Sequence, residues 1–280
     1  MYKLIQCSKV SDNIIFDTFK EGFSDYIIKV EMSKKQFIDR FFGPEGNQRK
    51  YSCIAYKGDI PVGIILSGIR EGLEYKTLRC GGFAVIPSER GSEVSKKLFE
   101  YHLNLAKTLD CKQLCLEVIE GNDRAINFYL KNKYKIVYSL FYRSWKTSDK
   151  LKLQKQINYN IEITTHDILE KYHKKENSYL PWQADFPYFK NMECNYYIIK
   201  DNDIILGGLV ASGDKILYLW VDPKYRNQGI ATNLINRMVI DNNIDEIQIM
   251  HSNNYLINSF CEKHGMILKE IKQYEMFRWI

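Results

Sequence analysis

The stretch Asp222–Leu234 reads DPKYRNQGIATNL, and it lies between an apolar strand pattern, Ile216–Val221 (ILYLWV), and a run whose apolar positions Leu234, Ile235, Met238 and Val239 fit one helical face. A strand that turns sharply into a helix leaves the first N–H groups of that helix without partners. The helix dipole adds partial positive charge at the same end, so the turn is suited to phosphate. Gly229 spares that approach a Cβ, Ala231 keeps the first helical turn narrow, Arg226 supplies a cation and Thr232 a hydroxyl.

Working outward, the surroundings of this turn occur twice. The hairpin patterns Tyr51–Ile69 and Asn195–Ser212 are each followed by a third strand, Leu78–Val85 or Ile216–Val221, and by a Pro-containing turn. An amphipathic helix comes next, Ser95–Leu109 or Thr232–Asp241, then a strand, Gln113–Val118 or Glu246–His251. A helix opened by Asn (Asn122–Lys131, Asn254–His264) and a last apolar strand (Tyr134–Trp145, Met266–Trp279) complete each half. The fold class is therefore α/β (α+β), as two tandem domains, each a central mixed, mostly antiparallel sheet flanked by helices. The expected boundaries are 1–146 and 158–280 with a linker at 147–157, inside the polar, Lys-rich seam Lys146–Asn160.

Composition narrows the function. The 280 residues are 45% hydrophobic and 26% charged, which excludes a disordered or fibrous chain, and no apolar run is long enough to span a bilayer. The net charge of +6 favours anionic ligands but is too diffuse for nucleic acid. Seven scattered cysteines argue against a secreted disulfide framework, and Cys111 and Cys115 lack a second ligand pair, so no metal is expected. The expectation is a cytoplasmic protein with no nucleic-acid or membrane partner; a homodimer is the one protein partner considered.

Arg226-Asn227-Gln228-Gly229-Ile230-Ala231 matches the pyrophosphate loop (Q/R)-x-x-G-x-(G/A) of the GNAT superfamily of acetyl-CoA-dependent acyltransferases, which the chain resembles over nearly its whole length. The family's Asn helix is similar to Asn122–Tyr129, departing at Lys133 where Gly is usual. The two copies deviate in opposite places. Aligned through Pro87/Pro223 and Arg90/Arg226, the first copy has Glu93 where the second has Gly229, and a carboxylate there opposes a diphosphate. The second copy has Cys261 where the first keeps Tyr129, the residue the family often uses to protonate the departing thiolate. Since cofactor binding precedes chemistry, the active site is expected in the second half.

The resemblance implies an N-acetyltransferase in which a primary amine of a small molecule or peptide attacks the thioester of acetyl-CoA directly. The alternative on the same fold is a non-catalytic CoA-binding sensor or assembly module. A third reading, aminoacyl-tRNA as acyl donor, conflicts with the intact loop. The implied cofactor residues are Trp220 and Val221 at the strand edge, Arg226, Asn227, Gln228, Gly229, Ile230, Ala231 and Thr232 in the loop, and Asn254, which also caps its helix. Proton-transfer candidates are Cys261, His251 and Tyr218; the rival readings are a helix-buried small hydrophobe for Cys261, a partly exposed strand-end histidine for His251 and a core aromatic for Tyr218. Trp182, Asp185 and Tyr188 offer an aromatic surface beside a carboxylate for an ammonium-bearing acceptor, the rival reading being a loop pinned into the core by its aromatics.

Overall fold

The computed structural model of the chain describes residues 2–29, 31–71, 75–147, 159–176 and 178–280. It divides into two compact units, Met1–Val137 with Tyr274–Ile280, and Tyr138–Gln273. Among the described residues no helix is long and apolar enough to cross a membrane.

The first unit opens with β1 (Tyr2–Gln6), α1 (Asp12–Gly22) and α2 (Lys34–Phe41), continues through β2 (Cys53–Lys57), β3 (Ile60–Glu71) and β4 (Lys76–Val85), and ends in α3 (Val94–Thr108), β5 (Gln113–Ile119) and α4 (Asp123–Lys131). Local signals start the helices. Ser11 Oγ accepts from Ile14 N, and Ser33 with Gln36 closes a capping box on α2. The strands pair in the order β1-β2-β3-β4-β5. The centre of β3 is buried on both faces: Ile65 packs with Leu98 and Phe99 of α3, while Ile64 and Leu66 pack with Ile15 and Phe19 of α1. Fully burying such side chains stabilises the fold by about 1.5–3 kcal/mol each before entropy is counted.

After β6 (Lys135–Lys146), the second unit repeats that order: β7 (Asn160–Ile163), α5 (His166–Glu176), α6 (Phe186–Phe189), β8 (Asn195–Asp201), β9 (Ile204–Ser212), β10 (Lys215–Val221), α7 (Ile230–Asn242), β11 (Glu246–Ser252) and α8 (Tyr255–Lys263), followed by β12 (Ile267–Trp279). Leu234, Ile235 and Met238 on the inner face of α7 are fully buried against Leu206, Leu209 and Ile216 of the sheet. In both units a strand glycine lets the second half's decisive helix, or its counterpart, settle close. A Cβ on Gly207 would come within 2.7 Å of Ile230, and one on Gly63 within 2.9 Å of Val94.

The closing strands differ from the sequence reading. From Leu140 to Lys146, β6 pairs antiparallel with β11 of the second unit, from Leu140↔Ser252 to Lys146↔Glu246. The end of β12 belongs to the first unit: Met276 is fully buried with Leu78 and Leu114, and Ile280 N donates to Lys112 O at 3.1 Å. Apolar alternation identifies a strand but not its partner, so sequence order paired each closing strand with its own half. Most of the expected linker, 148–157, lies outside the described residues, as does most of the polar seam.

Candidate functional site

The second unit's site is opened by a parting of strands. β10 and β11 are parallel partners only at Lys215↔Gln248 and Ile216↔Ile249, and an irregularity in β10 follows between Ile216 and Tyr218. Beyond it the strands separate, and a cavity of about 550 Å³ lies among residues of β10, β11, α7, α8 and the end of α5. Such a parting leaves strand-edge groups unpaired.

Which edge groups face the opening follows from alternation. Asp222 N donates to Leu206 O at 2.9 Å, so the N–H of Trp220, two residues earlier, also turns toward β9. The N–H groups of Val221 and Leu219 therefore turn the other way, and the Val221 carbonyl on that side accepts from Arg226 Nε at 3.1 Å. Of the two sequence candidates, Val221 holds the open amide, while Trp220 contributes its ring. Leu219, which sequence reading did not select, joins Val221 by the same two-residue period.

At the mouth of α7 the Ncap residue is Gly229, in the left-handed conformation with φ 88°, and no side chain of the described residues caps the helix. Among the described residues nothing accepts from the N–H groups of Gly229, Ile230, Ala231 or Thr232. Asn227 also has positive φ, 61°, a conformation Asn tolerates better than most residues. Asn227, Gly229, Ile230, Ala231 and Thr232 all line the cavity, as do Arg226 and Asn254. Arg226 makes one hydrogen bond through Nε, leaving its outer nitrogens without a protein acceptor among the described residues. Gln228 is exposed and bonds the Lys224 carbonyl at 3.5 Å, outside the lining. Asn254 caps α8, its Oδ1 accepting from Leu256 N at 2.9 Å. This mouth combines open amides with a cation, which is the donor set a diphosphate requires.

The proton-transfer candidates separate clearly. His251 lines the cavity; its Nδ1 lies 2.7 Å from the Ser252 carbonyl, which assigns the proton to Nδ1 and leaves Nε2 with a lone pair and no partner among the described residues. Burial, with Arg143 nearby, holds its pKa below the ordinary histidine value, so the ring is neutral near pH 7. Tyr218 also lines the cavity; burial raises its phenol pKa, with a contribution from Glu176, and its hydroxyl is unpartnered. Cys261 does not line the cavity. It is fully buried against the α7–α8 core, and desolvation pushes its thiol up to about 12, so the packing role fits it and the acid role does not.

The expected acceptor surface is also displaced. Trp182 is buried, Asp185 caps α6 by accepting from Phe186 N at 2.7 Å, and Tyr188 packs beside Phe186 and Phe189; none of the three lines the cavity. The segment just before them does: Glu176 at the end of α5, then Ser178, Tyr179, Leu180 and Pro181. Sequence gave little signal for these, because a helix-end Glu and a loop Tyr are common on any surface. Lys263 and His264 at the end of α8 complete the lining on the other side. His166, Asp167 and Glu170 form a trio within ligand reach of one another, but it sits on α5 away from this lining, and His166 Nε2 already faces the Phe186 carbonyl at 3.0 Å.

The first unit holds a cavity of about 540 Å³ lined by the end of β4, the loop into α3, α4 and the segment after α1; the parallel pairing of β4 with β5 stops at Cys80↔Leu116. Arg90 Nε bonds the Val85 carbonyl at 3.0 Å, the same bond Arg226 makes. Its outer nitrogens, however, hold both carboxylate oxygens of Asp25 and the Gly22 carbonyl. That pairing holds the Asp25 carboxyl at about 2. Glu93 precedes α3 with ordinary helical φ, −73°, and points to solvent rather than into the cavity. Ser92 Oγ accepts from Val94 N at 3.3 Å, so one amide of that mouth is already engaged. Tyr129 lines this cavity and is buried, with its phenol pKa raised by desolvation.

Residues 14–134 match the acetyltransferase (GNAT) family, and residues 192–265 match an acetyltransferase (GNAT) domain. No curated protein sequence matches the chain. Among solved structures, a tandem GNAT protein from the clavulanic acid biosynthesis pathway superposes with a TM-score of 0.68 at 10% identity, covering 100% of this chain and 98% of that one. A GCN5-related N-acetyltransferase from Sphaerobacter thermophilus gives 0.71 at 11% identity, covering 99% and 95%. One from Anabaena variabilis gives 0.64 at 14% identity, covering 100% and 73%. At these identities the structural likeness speaks for the fold, and the family matches take up more than half of the chain. The chain belongs to the GNAT acetyltransferase family and carries two of its domains in tandem.

Proposed function

We propose that the second unit is an acetyl-CoA-dependent N-acetyltransferase acting on a primary amine of a small molecule or peptide. The observation that carries this reading is the uncapped mouth of α7. Among the described residues, four consecutive N–H groups, Gly229–Thr232, lack acceptors at the edge of a cavity that also contains the Val221 strand edge and His251. The loop amides and Arg226 would hold the diphosphate, and Asn254, which lines the same cavity, would contact the arm of the cofactor. Bound there, acetyl-CoA supplies an activated acetyl thioester.

The chain's own residues then account for the transfer. The Val221 and Leu219 N–H groups face the opening and stabilise the charge that develops on the carbonyl oxygen, an effect of about 3–4 kcal/mol where such donors are preorganised. The amine nitrogen forms the new C–N bond, the C–S bond breaks with its electron pair on sulfur, and the amine proton passes to neutral His251 Nε2. Positioned bases of this type contribute about 10²–10⁴-fold.

Calorimetric titration with acetyl-CoA, followed by thiol release with a panel of amines, tests the reading. Binding with thiol release supports it. Tight binding without turnover on any amine identifies a CoA-binding module instead. In the active protein, His251→Gln lowers kcat by about 10²-fold with acetyl-CoA affinity retained. The wild-type kcat/KM falls as pH drops through the depressed His251 pKa, and that limb disappears in the variant. An unaltered pH profile removes His251 from the mechanism.

A further inference from the structure

We infer that the acceptor is a diamine, a primary amine that carries a second ammonium group held by Glu176 among the rings of Tyr179, Tyr218 and Trp220. This rests on the active-site reading above and narrows its substrate class.

Glu176 is the last residue of α5, its side chain is exposed, and it is the only carboxylate lining the second unit's cavity among the described residues. It has no ion pair or hydrogen bond with a described residue. The cationic side chains of the lining stand on other elements, Arg226 at the α7 mouth and Lys263 at the end of α8. Glu176 and Tyr218 line the same cavity, and the Glu176 charge opposes ionisation of the Tyr218 phenol. Tyr179, stacked on Tyr138 at 3.8 Å, and the buried Tyr218 and Trp220 line the same cavity, and aromatic faces there attract an alkylammonium.

The chemistry then requires two nitrogens. A carboxylate beside aromatic rings stabilises an ammonium and keeps it protonated. A protonated nitrogen has no lone pair and cannot attack a thioester. The nitrogen that Glu176 holds is therefore not the one acetylated. The reacting nitrogen is a second, neutral amine of the same molecule, which forms the amide while the C–S bond breaks and its proton goes to the base. A monoamine leaves Glu176 unpaired, and an amine bearing a carboxylate is repelled.

Thiol release from acetyl-CoA is measured with putrescine, butylamine and γ-aminobutyrate, which share a four-carbon skeleton, using the full chain and the Glu176→Gln and Glu176→Lys variants. In the wild type, kcat/KM for putrescine exceeds that for butylamine by about tenfold, chiefly through KM, and γ-aminobutyrate is poorest. Glu176→Gln brings the putrescine-to-butylamine ratio close to one, and Glu176→Lys reverses the order so that γ-aminobutyrate leads. Equal preference in the wild type, a ratio unmoved by either substitution, or no thiol release with putrescine by protein that turns over another amine of the panel overturns the inference. Absence of acetyl-CoA binding, or binding without turnover on any amine, is the separate failure of the active-site reading.

Discussion

The two loop-to-helix mouths of this protein share a backbone plan and part company in three side chains. In both, an arginine Nε ties the loop to the strand it leaves, Arg90 to Val85 and Arg226 to Val221. In both, the next residue has positive φ, Gly91 at 82° and Asn227 at 61°. They diverge two residues later, where the first has Glu93 at φ −73° and the second Gly229 at 88°. Ser92 then occupies an amide of α3, and Asp25 fills the outer face of Arg90. The cavities are nonetheless nearly equal, about 540 and 550 Å³. Cleft volume is thus a property of the fold, whereas the capacity to receive an anion rests on a few residues at the helix mouth.

The hardest test of that contrast is to give the second mouth the residue of the first. Gly229→Glu puts a carboxylate beside the amides and forces a side chain into left-handed φ, a strain of about 1–2 kcal/mol. Acetyl-CoA affinity should fall more than 100-fold in calorimetry, while circular dichroism and a thermal melt show the protein still folded. Retained affinity would place the cofactor in the first unit and invert the comparison.

Part of this was legible in the sequence and part was not, for identifiable reasons. The repeat, the α7 mouth and the Asn254 cap depend on residues near one another in the chain, so turn chemistry and periodicity reveal them. The partners of β6 and β12 depend on contacts far apart in sequence, which alternation cannot assign. The expected carboxylate on the phosphate path also differs: Glu93 points to solvent, and it is Asp25, distant in sequence, that meets the arginine. Cys261 fell to the core because a helix places every residue on a face, and the sequence did not show that this face was fully covered. Likewise Trp182 is buried, Tyr188 packs against the core cluster and Asp185 caps α6, while Glu176 and Tyr179 line the cavity, a division between core and wall that residue type alone does not reveal.

A second contrast lies inside the two helices that carry the mouths. His102 of α3 and Met238 of α7 occupy matching positions, eight residues past the first helical residue, and both are fully buried. His102 Nδ1 lies 2.9 Å from Ser67 Oγ, and burial depresses its pKa to about 3. An unfolded histidine titrates near 6.5, so below that pH the unfolded chain binds the extra proton and folding loses stability until pH falls to about 3. Between pH 7 and pH 5 the loss is about 2 kcal/mol. His102→Met should flatten the urea-unfolding midpoint across that interval by the corresponding amount. A midpoint that falls with acid as steeply as in the wild type would mean that other groups govern the acid sensitivity.

The smallest expected effect is the most discriminating for the mouths themselves, because it compares two arginines with the same backbone bond. Replacing Arg226 by Gln removes a cation that the protein leaves unneutralised among the described residues, and a charge-assisted contact to phosphate goes with it. Acetyl-CoA affinity should drop about tenfold, and the drop should shrink at high salt because the lost interaction is electrostatic. Replacing Arg90 by Gln removes a cation already neutralised by Asp25, so the same titration should be unchanged in affinity and stoichiometry. Its cost should appear in the melt instead, since the guanidinium also ties the Gly22 carbonyl to the loop. If Arg90→Gln weakens acetyl-CoA binding as much as Arg226→Gln does, Asp25 is not withholding that arginine from ligand, and the distinction between an open and a closed mouth fails.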